Sequence, residues 1–585
     1  MFNENKKHRE EKLFDFHKNF LTQKHREKLE TGWGRKFYEE IFINIDEKIF
    51  SPMYSKVKSR PNFPVNIMIS LLILKMKFNY SDEELFEQYN YNIMFRYALG
   101  LKDFEQYYDI SRTYYNFKKR LLEYKEKTGE DLLKKMFNEL NKKISMKYNI
   151  SNKEERLDST LIWSNIKSMS RLELCIETFK KFYKKLKIEI CEKEIEKYIG
   201  SDSENYCYKL KKEEFNKELE DIGVIIYRYY KKYLNNNEVN KLAEFKTLEN
   251  LLYQQFNIVE DMEIVEPKDS KDIKSYFIQS PHDPEATYRK KGKIESKGYC
   301  TTLIETADTE NIFNIVTDVD VSQNIESDGK ILESKIEELK GNDVKTIYAD
   351  GGYDEQQVAK VAKENDINLI LTGFKGQERG NNKIKLSDFE IKEDSIIKCP
   401  YGYEPVGTKE YPNSIKVIFA KSACEHCEKK DICLIKKGKS NYYMKVKKSY
   451  LRKINILKSL NDNIKNKAWK NRAISESSMK QIKTCCYKDK IRFRGKENIR
   501  IIIIFRAIAI NFGRILTYFE KAYERSAFIV KENYKNFENN CYLGDNVSIC
   551  KKIILFLKKL ISFYNNFLKS LFLITMNKKN IIFEI

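Results

Sequence analysis

The spacing of apolar and polar positions changes twice along the chain, and each change predicts a different kind of element. Between 33 and 125 the period is helical. "FPVNIMISLLILKMKFNYSDEELFEQYNYNIMFRYALGL" (63–101) predicts an apolar helix, a short turn and a second helix, with Ser81 and Glu84 placed for a capping box. Residues 165–265 keep the helical period but are heavily charged, as in "LELCIETFKKFYKKLKIEI", and read as an inserted helical domain. From 298 the pattern becomes that of strands. "GYCTTLIETAD" and "IFNIVTDVDV" read as antiparallel neighbours, "DGKILESKIEELKGN" as an amphipathic helix with Ile331, Leu332, Ile336 and Leu339 on one side, and "VKTIYA" as a short buried strand ending at Asp350. "EQQVAKVAKEN" adds a helix and "INLILTG" a strand, so this stretch predicts an α/β layer with a mixed sheet. A cysteine cluster interrupts it over 375–450. The polar helix "AWKNRAISESSMKQIK" (468–483) follows. An apolar helix, "ENIRIIIIFRAIAINFGRILTYF", closes the compact part near 520, and 525–585 read as a peripheral tail.

Composition narrows the partners. The chain has 585 residues, enough for three or four domains, and Lys+Arg 108 against Asp+Glu 86 leaves +22. Such a charge suits a polyanion, nucleic acid first; AT-rich codon usage would also enrich Lys, Asn and Ile. In that basic context the two helices of 63–101 fit either a helix-turn-helix-like DNA contact or a plain hairpin packed on the next domain. Twelve cysteines in this length do not make a disulfide scaffold, which points to a reducing compartment. The N-terminus lacks a signal-peptide core. The apolar runs are broken by Arg506 and by Lys558, Lys559 and Lys569, so no membrane span or membrane partner is expected.

Three carboxylates carry the candidate chemistry. Asp158 lies in the β-prone run "RLDSTLI". Asp350 ends a strand in "TIYADGGYD", where glycines allow close approach of a phosphate. Ligands in α/β sheets bind outside the carboxyl ends of strands. Glu476 lies on the polar helix. At about 100° per residue, with Arg472 at zero, Glu476 falls at about 40°, Lys483 at about 20° and Trp469 at about 60°. Carboxylates from a sheet and a helix can together hold two Mg²⁺ ions about 4 Å apart for phosphodiester chemistry. The stripe cations would then meet flanking phosphates, and Trp469 an exposed base. The plainer alternative is a solvated helix face with an i,i+4 pair between Arg472 and Glu476.

Trp469–x2–Arg472–x3–Glu476–x6–Lys483 resembles the Tyr-Arg-Glu-Lys signature of DDE transposases from bacterial insertion sequences, with Trp in place of Tyr. Asp158 in "LDST" and Asp350 in "YADGGYD" stand in that family's order. "SPHDPEATYRKKGK" (280–293) and the helical region 33–101 are also similar to segments of such proteins, so the resemblance spans roughly 33–520. It implies an α/β fold with an RNase-H-like mixed-sheet catalytic core (150–165, 275–375 and 450–520), and an N-terminal helical DNA-binding region over 1–130. A helical insertion over 166–274, a small Cys-rich, zinc-ribbon-like insertion over 376–449 and a C-terminal tail over 521–585 complete the expected organisation. The separation of 192 positions from Asp158 to Asp350 then requires the helical insertion to loop out cleanly. The resemblance further implies Mg²⁺ (or Mn²⁺) at Asp158, Asp350 and Glu476, no nucleotide cofactor, DNA partners in the element's terminal inverted repeats and a target, a homo-multimer on DNA, and a cytoplasmic, nucleoid-associated bacterial enzyme. The rivals are an inactive derivative that only binds DNA, and a metal-dependent nuclease that cuts without joining.

Two further signals stand apart. Cys399 in "KCPYGY" and Cys424, Cys427 and Cys433 in "CEHCEKKDIC" have the spacing of a Cys₄ structural zinc site, with His426 able to replace one thiolate; reduced, unligated thiols are the alternative. Cys485 and Cys486 read as packing residues. "YKDKIRFRGKENIR" (487–500) sets Arg492, Arg494 and Lys496 around Phe493, which fits a phosphate-tracking surface or an ordinary basic loop.

Overall fold

The computed structural model describes residues 1–541 except 12, 14, 58–59, 103–108, 188–191, 201–204, 260–263, 293, 354, 372–383, 393–394 and 460–461. Its organising element is β1 (Glu154–Trp163), the run that contains Asp158. With it in one sheet are β2 (Thr287–Lys291), β3 (Ile294–Thr306), β4 (Val316–Gln323), β5 (Thr346–Ala349), β6 (Asn368–Leu371), β7 (Cys486–Tyr487) and β8 (Lys490–Ile491). The central order is β4-β3-β1-β5-β6. β3 is antiparallel to β1 and β4, while β5 runs parallel to β1 and to β6. β2 pairs with the start of β3, and β8 meets the end of β1 at Trp163↔Lys490. Helices Asp328–Gly341 and Gln356–Glu364 make the crossovers into β5 and β6. Leu332, Ile336 and Leu339 pack with Leu157 and Ile347 in the core beneath them.

The second layer is helical. Ser81 and Glu84 form the expected capping box at the start of Asp82–Tyr91. The preceding helix, Val65–Phe78, is buried continuously from Val65 to Met76 and packs on the closing helix, Lys496–Cys541. A helix that is apolar all round belongs in a core. It has no face left for a DNA groove, and its partner opens with Asp82, Glu83 and Glu84 while burying only Leu85 and Tyr89. The N-terminal region, the closing helix and one side of the sheet share a single core. Asn511 fastens that layer: its amide donates to the Val316 carbonyl (2.9 Å) and its oxygen accepts from the Val316 N–H (2.7 Å), at the start of edge strand β4.

The inserted helices Arg171–Leu186, Phe215–Tyr233 and Ala243–Gln255 surround a core of their own, which lets the chain leave β1 and return at β2. The cysteine-bearing segment builds a separate four-stranded antiparallel sheet. Helix Lys448–Ser459 contributes Leu451 and Ile454 to that small core, so residues expected in the catalytic core from 450 onward begin with a helix that packs on the Cys-bearing sheet. Of that segment, 376–383 and 393–394 lie outside the described residues. The closing helix does not stop near 520 but continues to Cys541; of the expected tail, 542–585 lie outside the described residues.

Candidate active site

The parallel register of β1 and β5 pairs Leu157 with Ala349. One residue further along each chain come Asp158 and Asp350. Neighbouring strands lie about 4.8 Å apart, so the register brings Asp158, in the middle of β1, beside Asp350, the first residue past the end of β5. The glycine turn folds back on the second: Gly352 N–H donates to Asp350 Oδ1 at 2.6 Å. Asp158 Oδ1 accepts from the Ser159 N–H at 2.8 Å, and the Ser159 hydroxyl donates to Asp328 Oδ1 at 2.9 Å. Asp328, at the start of a crossover helix, is thus held at Ser159, on the face of β1 opposite to Asp158, and its charge reaches Asp158 through the sheet.

The polar helix, Asp462–Lys483, lies across β1 and β5. It buries Ala468, Asn471, Ser475, Ser478, Met479 and Ile482, the i, i+3, i+4 set, and leaves Trp469, Arg472 and Glu476 exposed, Trp469 at 61%. What holds it is polar. Arg156 on β1 and Glu305 on β3 form a buried pair (Nε–Oε1 2.7 Å), and Arg156 Nη1 donates to Asn471 Oδ1 at 3.2 Å. From the closing helix, Arg514 Nη2 donates to Glu305 Oε2 (2.6 Å) and to the Ser478 hydroxyl oxygen (2.8 Å), and that hydroxyl donates to Glu305 Oε2 (3.0 Å). Burial alone would raise the Glu305 carboxyl, but Arg514 and Arg156 outweigh it and hold it below the usual range. The helix is thus clamped by charge-assisted bonds that fix its rotation over the sheet.

With the helix so placed, the charge of Glu476 reaches Asp158. Burial first, and then Asp350, Asp328 and Glu476, push the Asp158 carboxyl up to about 6, against the opposing Ser159 N–H bond. Arg472 Nε stands 3.4 Å from Glu476 Oε1, the i,i+4 pair, and Lys483 Nζ donates to Asp489 Oδ1 at 2.8 Å. Both stripe cations are therefore matched to carboxylates. Among the described residues no group of three or more His, Cys, Asp or Glu side chains is arranged to hold a metal ion.

The remaining expected site residues divide. Cys424 is buried, and its thiol is pushed up to about 11 by burial first and then by Cys433, Cys399 and Cys427; Cys399 and Cys433 pack against the same small core as Cys424. Arg492 and Arg494 are exposed, with Arg494 Nε donating to the Asn165 carbonyl at 2.6 Å, while the backbone N–H of Lys496 donates to Glu285 Oε2 at 3.2 Å. Cys485 and Cys486 pack against the large core, as expected. Reading the sequence alone missed Asp328, the Arg156–Glu305–Arg514 clamp and Asp283. The last, in "SPHDPEA", is buried and accepts from Tyr299 Oη (2.5 Å), from the Gly495 N–H (3.0 Å) and from the Ser164 hydroxyl, tying the start of the closing helix to the sheet. A charged residue in mid-strand, such as Arg156 two positions before Asp158, was the available signal for a buried pair.

Two family models match the chain. Residues 19–120 match one described as Transposase domain (DUF772), and residues 398–516 match one described as Transposase DDE domain. The second match takes in Glu476, its helix and the four cysteines; Asp158 and Asp350 lie outside both. No curated protein and no solved structure matches the chain. No helix among the described residues is long and apolar enough to cross a membrane. Two separate matches, at the N-terminal helical layer and at the helix bearing the third carboxylate, identify the chain as a DDE transposase of insertion-sequence type.

Proposed function

We propose that the protein binds the terminal inverted repeats of its own element, cuts DNA at the element's ends and joins them to a target, with Asp158, Asp350 and Glu476 as the catalytic carboxylates. The observation that carries this reading is the β1–β5 register, whose last pair, Leu157 with Ala349, leaves Asp158 and Asp350 one residue further along adjacent strands, beneath a helix that carries Glu476. The strand order β4-β3-β1-β5-β6, with only β3 reversed among these five, supports an RNase-H-like core. The donor set is all hard carboxylate oxygen, which suits Mg²⁺ or Mn²⁺ in chemistry; burial first, and then the neighbouring carboxylates, raise Asp158, and a divalent cation drawn between the three would relieve the second cause. When bound, such ions supply charge stabilisation to the attacking and leaving oxygens of a phosphodiester. The chain's own groups position the DNA. Arg472 exchanges Glu476 for a phosphate, Lys483 exchanges Asp489 for another, and Trp469 presents an open ring for a base. Arg492, Arg494 and Lys496 extend the basic surface past the end of that helix. Cys399, Cys424, Cys427 and Cys433 would brace the small sheet around a structural zinc. Two DNA ends call for a homo-multimer on DNA, working in the cytoplasm at the nucleoid.

The test offers labelled element ends and a target plasmid in Mg²⁺. Joined product supports the proposal. Cut product alone makes the protein a nuclease, and a shifted band without cutting makes it a DNA-binding derivative.

A further inference from the structure

The flank of the polar helix turned away from Glu476 borders a cavity of about 740 Å³, closed on its other side by the closing helix. Six of its lining residues are cations: Lys77, Arg156, Arg506, Arg514, Lys521 and Arg525. None is a carboxylate. Glu305 offsets part of the charge of Arg156 and Arg514 from behind. Arg506 spends its hydrogen bonds on the Gln481 and Met76 carbonyls and the Thr484 hydroxyl, so its charge stays unneutralised. Among the described residues Lys77, Lys521 and Arg525 take part in no ion pair. Lys77 also has room made for it: a Cβ at Gly513 would stand 2.8 Å from its ammonium. On the closing helix, Arg506, Arg514, Lys521 and Arg525 fall within about 100° of one another and span about 28 Å. A one-sided cationic stripe of that length is the complement of a run of phosphates, not of one small anion.

We infer that this cavity is a second DNA-backbone groove, holding phosphates on the opposite flank of the polar helix from the catalytic carboxylates. The inference rests on the proposed DNA chemistry, but it concerns a different face and different residues. The phosphates come from one of two sources: the element end beyond the cut, or the target duplex.

The experiment measures binding of the full-length chain, without added divalent metal, to an element-end duplex and to an unrelated duplex of equal length, across a salt series. Three variants are compared with the parent: the pair Lys521→Glu with Arg525→Glu, which are exposed; Ser477→Trp, which fills the cavity mouth without changing charge; and a control pair, Lys212→Glu with Lys217→Glu, on the exposed face of the helical insertion. The first pair is expected to weaken binding about tenfold and to lower the salt slope by about 1.8, at about 0.9 per released contact. Ser477→Trp is expected to weaken binding several-fold with normal thermal unfolding, and the control pair to do neither. Loss confined to the element-end duplex assigns the groove to the element; loss on both assigns it to backbone generally, target included. Parent-like binding by both cavity variants overturns the inference, as does an equal loss in the control pair. Because no cleavage is measured, these outcomes are independent of whether Asp158, Asp350 and Glu476 are catalytic.

Discussion

Replacing Asp158 with Asn should stabilise the fold at neutral pH while removing its metal response. The folded carboxyl titrates near 6 against an ordinary 3.8. A raised folded pKa means the folded state holds the proton longer than the unfolded one. The associated stability is fully present below pH 3.8 and is lost as pH rises through 6. At about 1.4 kcal/mol per pH unit, that displacement amounts to about 3 kcal/mol, an upper figure because Asp158 is only partly buried and water screens it; about 1–3 kcal/mol is the working range. Asparagine removes the ionisation and keeps the shape. The assay is urea unfolding of parent and variant from pH 4 to 8. The variant's advantage should grow between pH 4 and 6 and then level off. Glu155, which burial pushes up to about 8, adds its own fall at higher pH, but it is common to both proteins and cancels in the difference. Mg²⁺ at about ten times its Kd should stabilise the parent by about 1.4 kcal/mol and the variant far less. A difference that stays flat from pH 4 to 8, or an equal Mg²⁺ response in both proteins, refutes the reasoning.

Glu305→Gln leaves Arg156 and Arg514 facing each other without a counter-charge, and should cost about 3–5 kcal/mol in chemical denaturation, whereas Arg514→Lys, which keeps the charge, should cost less. Arg472→Ala and Lys483→Ala should each lower end cleavage without abolishing it and reduce the salt slope of end binding by about 0.9, with Arg472→Lys rescuing binding better than rate; parent-like values for both alanine variants would leave the stripe a solvated face. Metal analysis of protein purified without chelator should find about one zinc per chain, and removal should unfold the Cys-bearing sheet as followed by hydrogen exchange; below about a tenth of that with normal folding, the four thiols are unligated.

Much of the site's scaffold was legible because each element carries a local signal. The β-prone run around Asp158, the glycines after Asp350 and the one-sided stripe of the polar helix all follow from composition, turn chemistry and period. Partnerships across the chain were not legible. Arg156 meets Glu305 at a separation of 149 residues, and Glu305 meets Arg514 at 209. Nothing in either local window names the other, although a charged residue in mid-strand requires some partner. The helix Val65–Phe78 shows the opposite limit: its pattern gave its type but not its setting, which is burial under the closing helix. The closing helix outruns its expected end because the apolar period fades after 520 while helix-forming residues continue.

The central claim is that Asp350 is a metal ligand beside Asp158, and cleavage of a labelled element end by Asp350→Cys tests it most directly. A thiolate is a poor ligand for Mg²⁺ and a better one for softer Mn²⁺. The account predicts no cleavage by Asp350→Cys in Mg²⁺, cleavage regained in Mn²⁺, and Asp350→Ala inert in both. Parent-level cleavage by either variant in Mg²⁺ would contradict it.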